Sequence, residues 1–152
     1  MTNKLGAVPN WDLTDFYNSI SDKNIIKDID DCKKNAKSFA KKYQGKVAKL
    51  KAADLLTAII KYEKISEKMS EISSYSYLIY AGDLSNQKNI AFYQDTGESL
   101  TEASSSLIFF TLEVNEIEEK DIQELLKSST DLQKYAPFIR DIRSFRKYQL
   151  SH

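Results

Sequence analysis

Histidine, cysteine, proline, glycine and arginine are all scarce in this chain of 152 residues, and each scarcity excludes something. The only histidine is His152, so no two-histidine metal site, Ser-His-Asp triad or Cys-His pair can be assembled. The only cysteine, Cys32, rules out an internal disulfide and suits a reducing compartment; its apolar neighbours at helical spacing mark it as a small buried residue. Four glycines and two prolines are too few for a turn-rich β fold. No apolar run approaches the ~20 residues of a membrane span, and MTNKLGAVPNWDL has no charged segment followed by the apolar stretch of a signal peptide. A soluble, cytoplasmic protein is expected. No G-x-x-x-x-G-K-[ST] or G-x-G-x-x-G motif offers a nucleotide cradle. The formal charge is zero, 22 basic against 22 acidic residues, so no net field favours nucleic acid or an anionic membrane, and neither is expected as a partner.

What the chain does contain is helical periodicity. Hydrophobic residues make up 41% and charged residues 29%, and the length suits one domain spanning 1–152. Residues 1–20 read as irregular to short-helical, with Pro9 and Trp11 as anchors. From Asp22, the positions Ile25, Ile29, Cys32, Ala36, Phe39, Ala40 and Tyr43 step along one helix face toward a stop at Gly45. A second run, through Leu55, Ile59, Met69, Ile72, Ser76 and Tyr80, ends near Gly82. Ser85 or Asn86 can cap a third, which steps through Ile90, Tyr93, Gly97, Leu100, Leu107, Phe110, Val114 and Ile117 as one helix of near thirty residues. Gly97 is expected to permit close contact with another helix. Shorter helices are expected at 118–128 and 137–147, the latter opened by Pro137. The predicted fold is all-α, an up-and-down array of long antiparallel helices with shorter C-terminal helices.

Candidate chemistry is sparse. Asp28, Asp30 and Asp31 read as a solvated acidic stretch, and no metal is assigned to them. Tyr75, Tyr77 and Tyr80 read as packing residues, and Ser104, Ser105 and Ser106 as small residues at a helix contact rather than nucleophiles. The ten lysines within 22–51 and the six acids within 113–124 read as solvated faces. No catalytic residue is assigned. The arginines differ: against 19 lysines there are only Arg140, Arg143 and Arg146, at a spacing of three. Such placement suggests sites that need a planar guanidinium for bidentate pairing or stacking. The trio spreads around its helix, so at least one arginine should turn back toward Glu113, Glu116, Glu118 and Glu119.

Four blocks carry a resemblance: VPNWDLTDFY at 8–17, ISSYSYLIYAGDLSNQKNIAFYQ at 72–94, SSSLIFFTLEVNEI at 104–117 and YAPFIRDIRSFRKYQLS at 135–151. In this order and spacing they resemble the N-terminal region of the oligoendopeptidase F family, all-α zinc metallopeptidases similar to the thimet oligopeptidases. The resemblance implies a non-catalytic N-terminal domain or truncated fragment, forming one wall of a channel for oligopeptides in the complete enzyme. Zinc and the H-E-x-x-H helix would belong to a catalytic body outside these residues, and the chain alone should be inactive. That missing or separate catalytic domain is the expected partner. Arg140, Arg143, Arg146, Phe145 and Tyr148 are the expected interdomain or partner interface. A subunit of a split peptidase and a free-standing helical interaction module are the alternatives.

Overall fold

The computed structural model describes residues 11–149, and among them the regular structure is all helical, without a strand. Three long helices come first. Helix α1, Lys23–Tyr43, starts where the Asp22 carboxylate accepts from the Asn24 N–H, and ends with Gly45 in a left-handed φ of 74° that turns the chain. A short 3-10 turn at Val47–Lys49 leads into α2, Ala52–Gly82. Helix α3, Gln87–Ser105, is capped by Asn86, whose side chain accepts from the N–H groups of Lys88 and Asn89.

Short connections force the three into an up-and-down array, and the side-chain pairs record the directions. Phe39 of α1 meets Tyr62 of α2, while Asp28 meets Lys68, so α2 runs back along α1. The Asn89 side-chain amide donates to the Ile79 carbonyl at 3.3 Å and Tyr75 meets Phe92 edge-on, so α3 runs back along α2, with Tyr80 stacked on Tyr93 at 4.8 Å beside them. Glu102 of α3 then bridges Lys33 and Lys37 of α1 at 2.9 and 2.8 Å. Smaller helices follow: α4, Ile108–Glu116; α5, Glu119–Ser128; α6, Thr130–Gln133; and α7, Ala136–Arg143, with Pro137 in its first turn. A 3-10 turn, Arg146–Tyr148, ends the described chain.

The core is one cluster to which each long helix contributes, including Ile25, Leu55, Ile59, Ile72, Tyr75, Phe110, Val114 and Ile139. Cys32 lies inside it, and burial pushes its thiol up from the ordinary value. Tyr75 is buried, Tyr77 is exposed, and Tyr80 is partly covered by Tyr93.

Four expectations require correction. The third periodic run is not one helix: it breaks at Ser106 and Leu107 into α3 and α4. The Ser104 and Ser105 hydroxyls both donate to the Thr101 carbonyl, and the Ser106 and Leu107 N–H groups donate three residues back, which tightens the chain out of α-helix. The serines thus serve a helix end. Gly97 meets no other helix, because a Cβ placed there would have nothing within 4 Å. The expected helix at 137–147 stops at Arg143 and resumes as the 3-10 turn. Finally, Trp11 is 74% exposed and is not part of the core formed by the described residues, and Pro9 lies outside them. The N-terminal segment is instead held by Tyr17, which is buried and donates to Asp28 Oδ2 at 2.9 Å; Leu13 and Phe16 pack beside it. Asp28 is therefore a bridge between elements, while Asp30 and Asp31 stay exposed.

The packing has two measurable consequences. Gly97→Ala should stabilise the protein by about 0.5–1 kcal/mol, since the added methyl enters open space on a helix and restricts the unfolded chain; urea unfolding checks it, and a loss of stability would mean that the helix contact exists after all. The hydrogen bonds from Lys37 and Lys33 hold the Glu102 carboxyl at about 2, below its ordinary 4.5. A lowered folded-state value means the bridge stabilises fully above about 4.5 and is lost as pH falls toward 2. Denaturation midpoints measured through that window should fall less steeply for Glu102→Gln than for the parent chain.

Candidate docking surface

Helix α4 is apolar on nearly every side, IFFTLEVNE, a pattern that suits a helix covered all round rather than one at a surface. Its inner face is satisfied: Phe110 and Val114 are fully buried, with Phe110 between Phe39 and Tyr62 at 5.2 and 5.0 Å. Its outer face is not. Ile108 is 56% exposed, and Leu112 lies between two open grooves.

The first groove, about 610 Å³, runs between α4 and the end of α7, with walls from Leu112, Ile142, Phe145 and Tyr148 and with Asn115 and Gln149 among its lining. Phe145 and Tyr148 are 67% and 70% exposed. Asn115 Oδ1 and Gln149 Oε1 are buried acceptors without a hydrogen-bond partner among the described residues. The second groove, about 530 Å³, is bounded by Ile108, Phe109, Leu112 and the loop at Gly45. Glu113 fixes that loop by accepting from the Gly45 and Val47 N–H groups at 2.6 and 3.1 Å. Together these residues make an exposed apolar ridge with partly polar flanks, the composition of a contact surface.

The three arginines have different fates on this surface. Arg143 turns inward, with its side chain only 8% exposed. Its Nη1 donates to the Val114 and Ile117 carbonyls at 2.9 and 2.8 Å, and its Nη2 reaches Glu119 at 2.9 Å. It thereby caps the carbonyl end of α4, where a cation complements the helix dipole. Hydrogen bonds from Gln123 first and Arg143 second hold the Glu119 carboxyl below the usual range. Arg146 is part-exposed and pairs with Glu118 at 3.0 Å, while Arg140 is exposed and grips its neighbour Asp141 at 2.8 Å. Arg143 is thus a structural tie, and the outward members of the group are Arg140, Arg146, Phe145 and Tyr148. The sequence reading misses Ile108, Leu112 and Asn115, because it carries one helical period across the break at Ser106. The unbroken apolar string LIFF, which no single helix face accommodates, is the available signal.

No group of three His, Cys, Asp or Glu among the described residues could hold a metal ion, and no helix there is long and apolar enough to cross a membrane. Among the described residues the structure is all helical, and a prominent surface feature is the exposed apolar ridge along α4 and the end of α7. Comparison with known proteins gives that surface a context. The family model described as Oligopeptidase F matches residues 113–152. The chain is also 25% identical, over 149 residues, to Oligopeptidase PepF of Bacillus subtilis (strain 168), covering 98% of this chain and 22% of that protein. The chain thus spans about a fifth of the length of that curated relative. No solved structure matches. The two findings support the resemblance to an N-terminal domain of the oligoendopeptidase F family.

Because Arg143 is the tie, Arg143→Ala should lower stability by about 2–3 kcal/mol by stranding the two carbonyls. Arg140→Ala and Arg146→Ala should each stay within about 0.5 kcal/mol of the parent. Chemical denaturation of the three variants provides the comparison, and equal losses at all three positions would contradict the division of roles.

Proposed function

We propose that the chain serves as the non-catalytic N-terminal domain of an oligoendopeptidase F-like zinc metallopeptidase of the cytoplasm, forming a wall of the peptide-substrate channel. The observation that carries this reading is the coincidence of two regions. The family match begins within α4, at residue 113, and runs through α7 and the 3-10 turn, which holds the Ile142, Phe145 and Tyr148 side of the exposed apolar ridge, with Ile108 and Leu112 just before it. A domain evolved to stand alone gains nothing from exposing Ile108, Phe145 and Tyr148 around buried amide oxygens that have no partner among the described residues, whereas a domain packed on a catalytic body covers them.

The residues of this chain do not suit a zinc site: it has one histidine, and no cluster of three candidate ligands stands among the described residues. In this reading the metal, the H-E-x-x-H helix and bond cleavage belong to the catalytic body, and this domain contributes substrate admission and a rigid wall. Arg140, Arg146, Phe145 and Tyr148 meet that body, with Ile108 and Leu112 continuing the contact along α4.

Two preparations test the proposal: the chain alone, and the chain joined to an oligoendopeptidase F catalytic body that has been deprived of its own N-terminal region. The chain alone should leave a quenched fluorescent oligopeptide intact, and the joined form should cleave it. Phe145→Glu combined with Tyr148→Glu should reduce that cleavage about tenfold or more while leaving the isolated domain's unfolding midpoint unchanged. Chelator-sensitive cleavage by the chain alone, or a joined enzyme indifferent to both substitutions, would overturn the reading.

A further inference from the structure

A second surface stands apart from the docking ridge. A cleft of about 250 Å³ runs between α1 and α2, lined by Asn35, Ser38, Phe39, Lys42, Tyr43, Lys61, Lys64 and Ile65. Phe39, Tyr43 and Ile65 are buried and form an apolar floor, while the three lysines, Asn35 and Ser38 are exposed at its rim. The lining contains no carboxylate. Three other lysines of the array find acids: Lys33 and Lys37 share Glu102, and Lys68, one turn beyond Lys64, is held by Glu71 at 2.7 Å and by Asp28. Lys42, Lys61 and Lys64 have no carboxylate partner among the described residues, and the Lys42 ammonium lies 5.0 Å over the Tyr43 ring.

A lone unpaired lysine on a helix is simply solvated. Three around one cleft concentrate positive potential at a concave, apolar-floored place in a chain of zero net charge. We infer that this cleft binds an acidic peptide segment, seating one apolar side chain on Phe39 and Ile65 while flanking Asp or Glu carboxylates meet the Lys42, Lys61 and Lys64 ammonium groups. The apolar floor argues against a bare phosphate, which would have nothing to bury there. The rim has no exposed aromatic interleaved with the lysines, so bases have no stacking platform. The volume is below the roughly 300–1,000 Å³ of small-molecule sites, so a cofactor is a poorer match than one side chain with its flanks. This inference does not depend on the peptidase reading, because it uses the intact chain and a face that the docking ridge does not include.

The probe is a short fluorescein-labelled peptide of glutamates around a central leucine, titrated with the chain and followed by fluorescence anisotropy. Binding should weaken as salt is raised. The combined variant Lys42→Gln, Lys61→Gln and Lys64→Gln should bind about tenfold more weakly or worse, whereas Lys120→Gln with Lys127→Gln should change nothing. Replacing the central leucine by glycine should also weaken binding. The triple variant's helicity and unfolding midpoint should match the parent's; if they do not, the single variants Lys61→Gln and Lys64→Gln carry the comparison, each with a smaller loss. Equal affinity of triple variant and parent would overturn the inference. So would equal affinity for the leucine and glycine peptides, or preferential binding of inorganic phosphate, single-stranded DNA or anionic vesicles.

Discussion

Phe110 is the side chain on which the two parts of the structure depend. The first three helices form a continuous array, but α4 to α7 are short, and helices of that length do not persist in water without tertiary packing. Phe110 supplies it. The ring is fully buried against Phe39 of α1 and Tyr62 of α2, and Tyr62 in turn contacts Phe138 of α7 at 6.1 Å. Four helices therefore meet at one aromatic cluster, where edge-on and tilted contacts favour a defined arrangement over a merely greasy one. The break at Ser106 and Leu107 makes this possible, because it re-aims the chain so that the residues after it bury Phe110 and Val114.

Once α4 is fixed in this way, its carbonyl end needs donors, and Arg143 provides them from α7. A guanidinium suits that position because its planar fork reaches two carbonyls with one nitrogen and a carboxylate with the other, which a lysine ammonium on a flexible stem holds less well. Glu113 performs the complementary service one turn earlier, accepting from the N–H groups of the loop between α1 and α2. The acidic stretch at 113–119 is thus largely occupied within the molecule, with Glu113 on a loop, Glu118 on Arg146 and Glu119 on Arg143. Positive and negative groups of this segment knit the short helices to the array and leave the apolar outer face of α4 as the part without a use inside these residues.

Much of the fold is legible in the sequence because the long helices have clear periods and clear ends. Asp22 and Asn86 cap where the pattern begins, and Gly45 turns where it stops, so α1, α2 and the start of α3 fall where the spacing places them. Two kinds of feature are not legible. Trp11 suggests an anchor by its size alone, yet burial depends on what the chain can fold against, and Tyr17 has a partner in Asp28 where Trp11 stays exposed. The break after α3 is hidden because Leu107, Phe110 and Val114 continue the apolar spacing on both sides of it. Periodicity reports which residues are inward, not whether the axis is straight. Of the candidate site, the sequence marks the segment and only part of its division of labour: spacing by three spreads the arginines around the helix, but it takes the position of α4 to decide that Arg143 is the inward one.

The charge distribution completes the same logic. The chain is neutral overall, but it gathers ten lysines between residues 22 and 51 and six acids between 113 and 124. If these were only solvated faces, neighbouring opposite charges would pair wherever helices bring them together. They do so at Glu102 and at the Asp28, Lys68 and Glu71 cluster, and the acidic segment pairs with arginines rather than with the lysine-rich helix. The lysines at the rim of the α1 and α2 cleft have no carboxylate partner among the described residues. Exposed pairs contribute little to stability, so their absence costs the fold almost nothing. The residual field is therefore left at one face of the array, while the exposed apolar ridge of α4 and α7 lies on another.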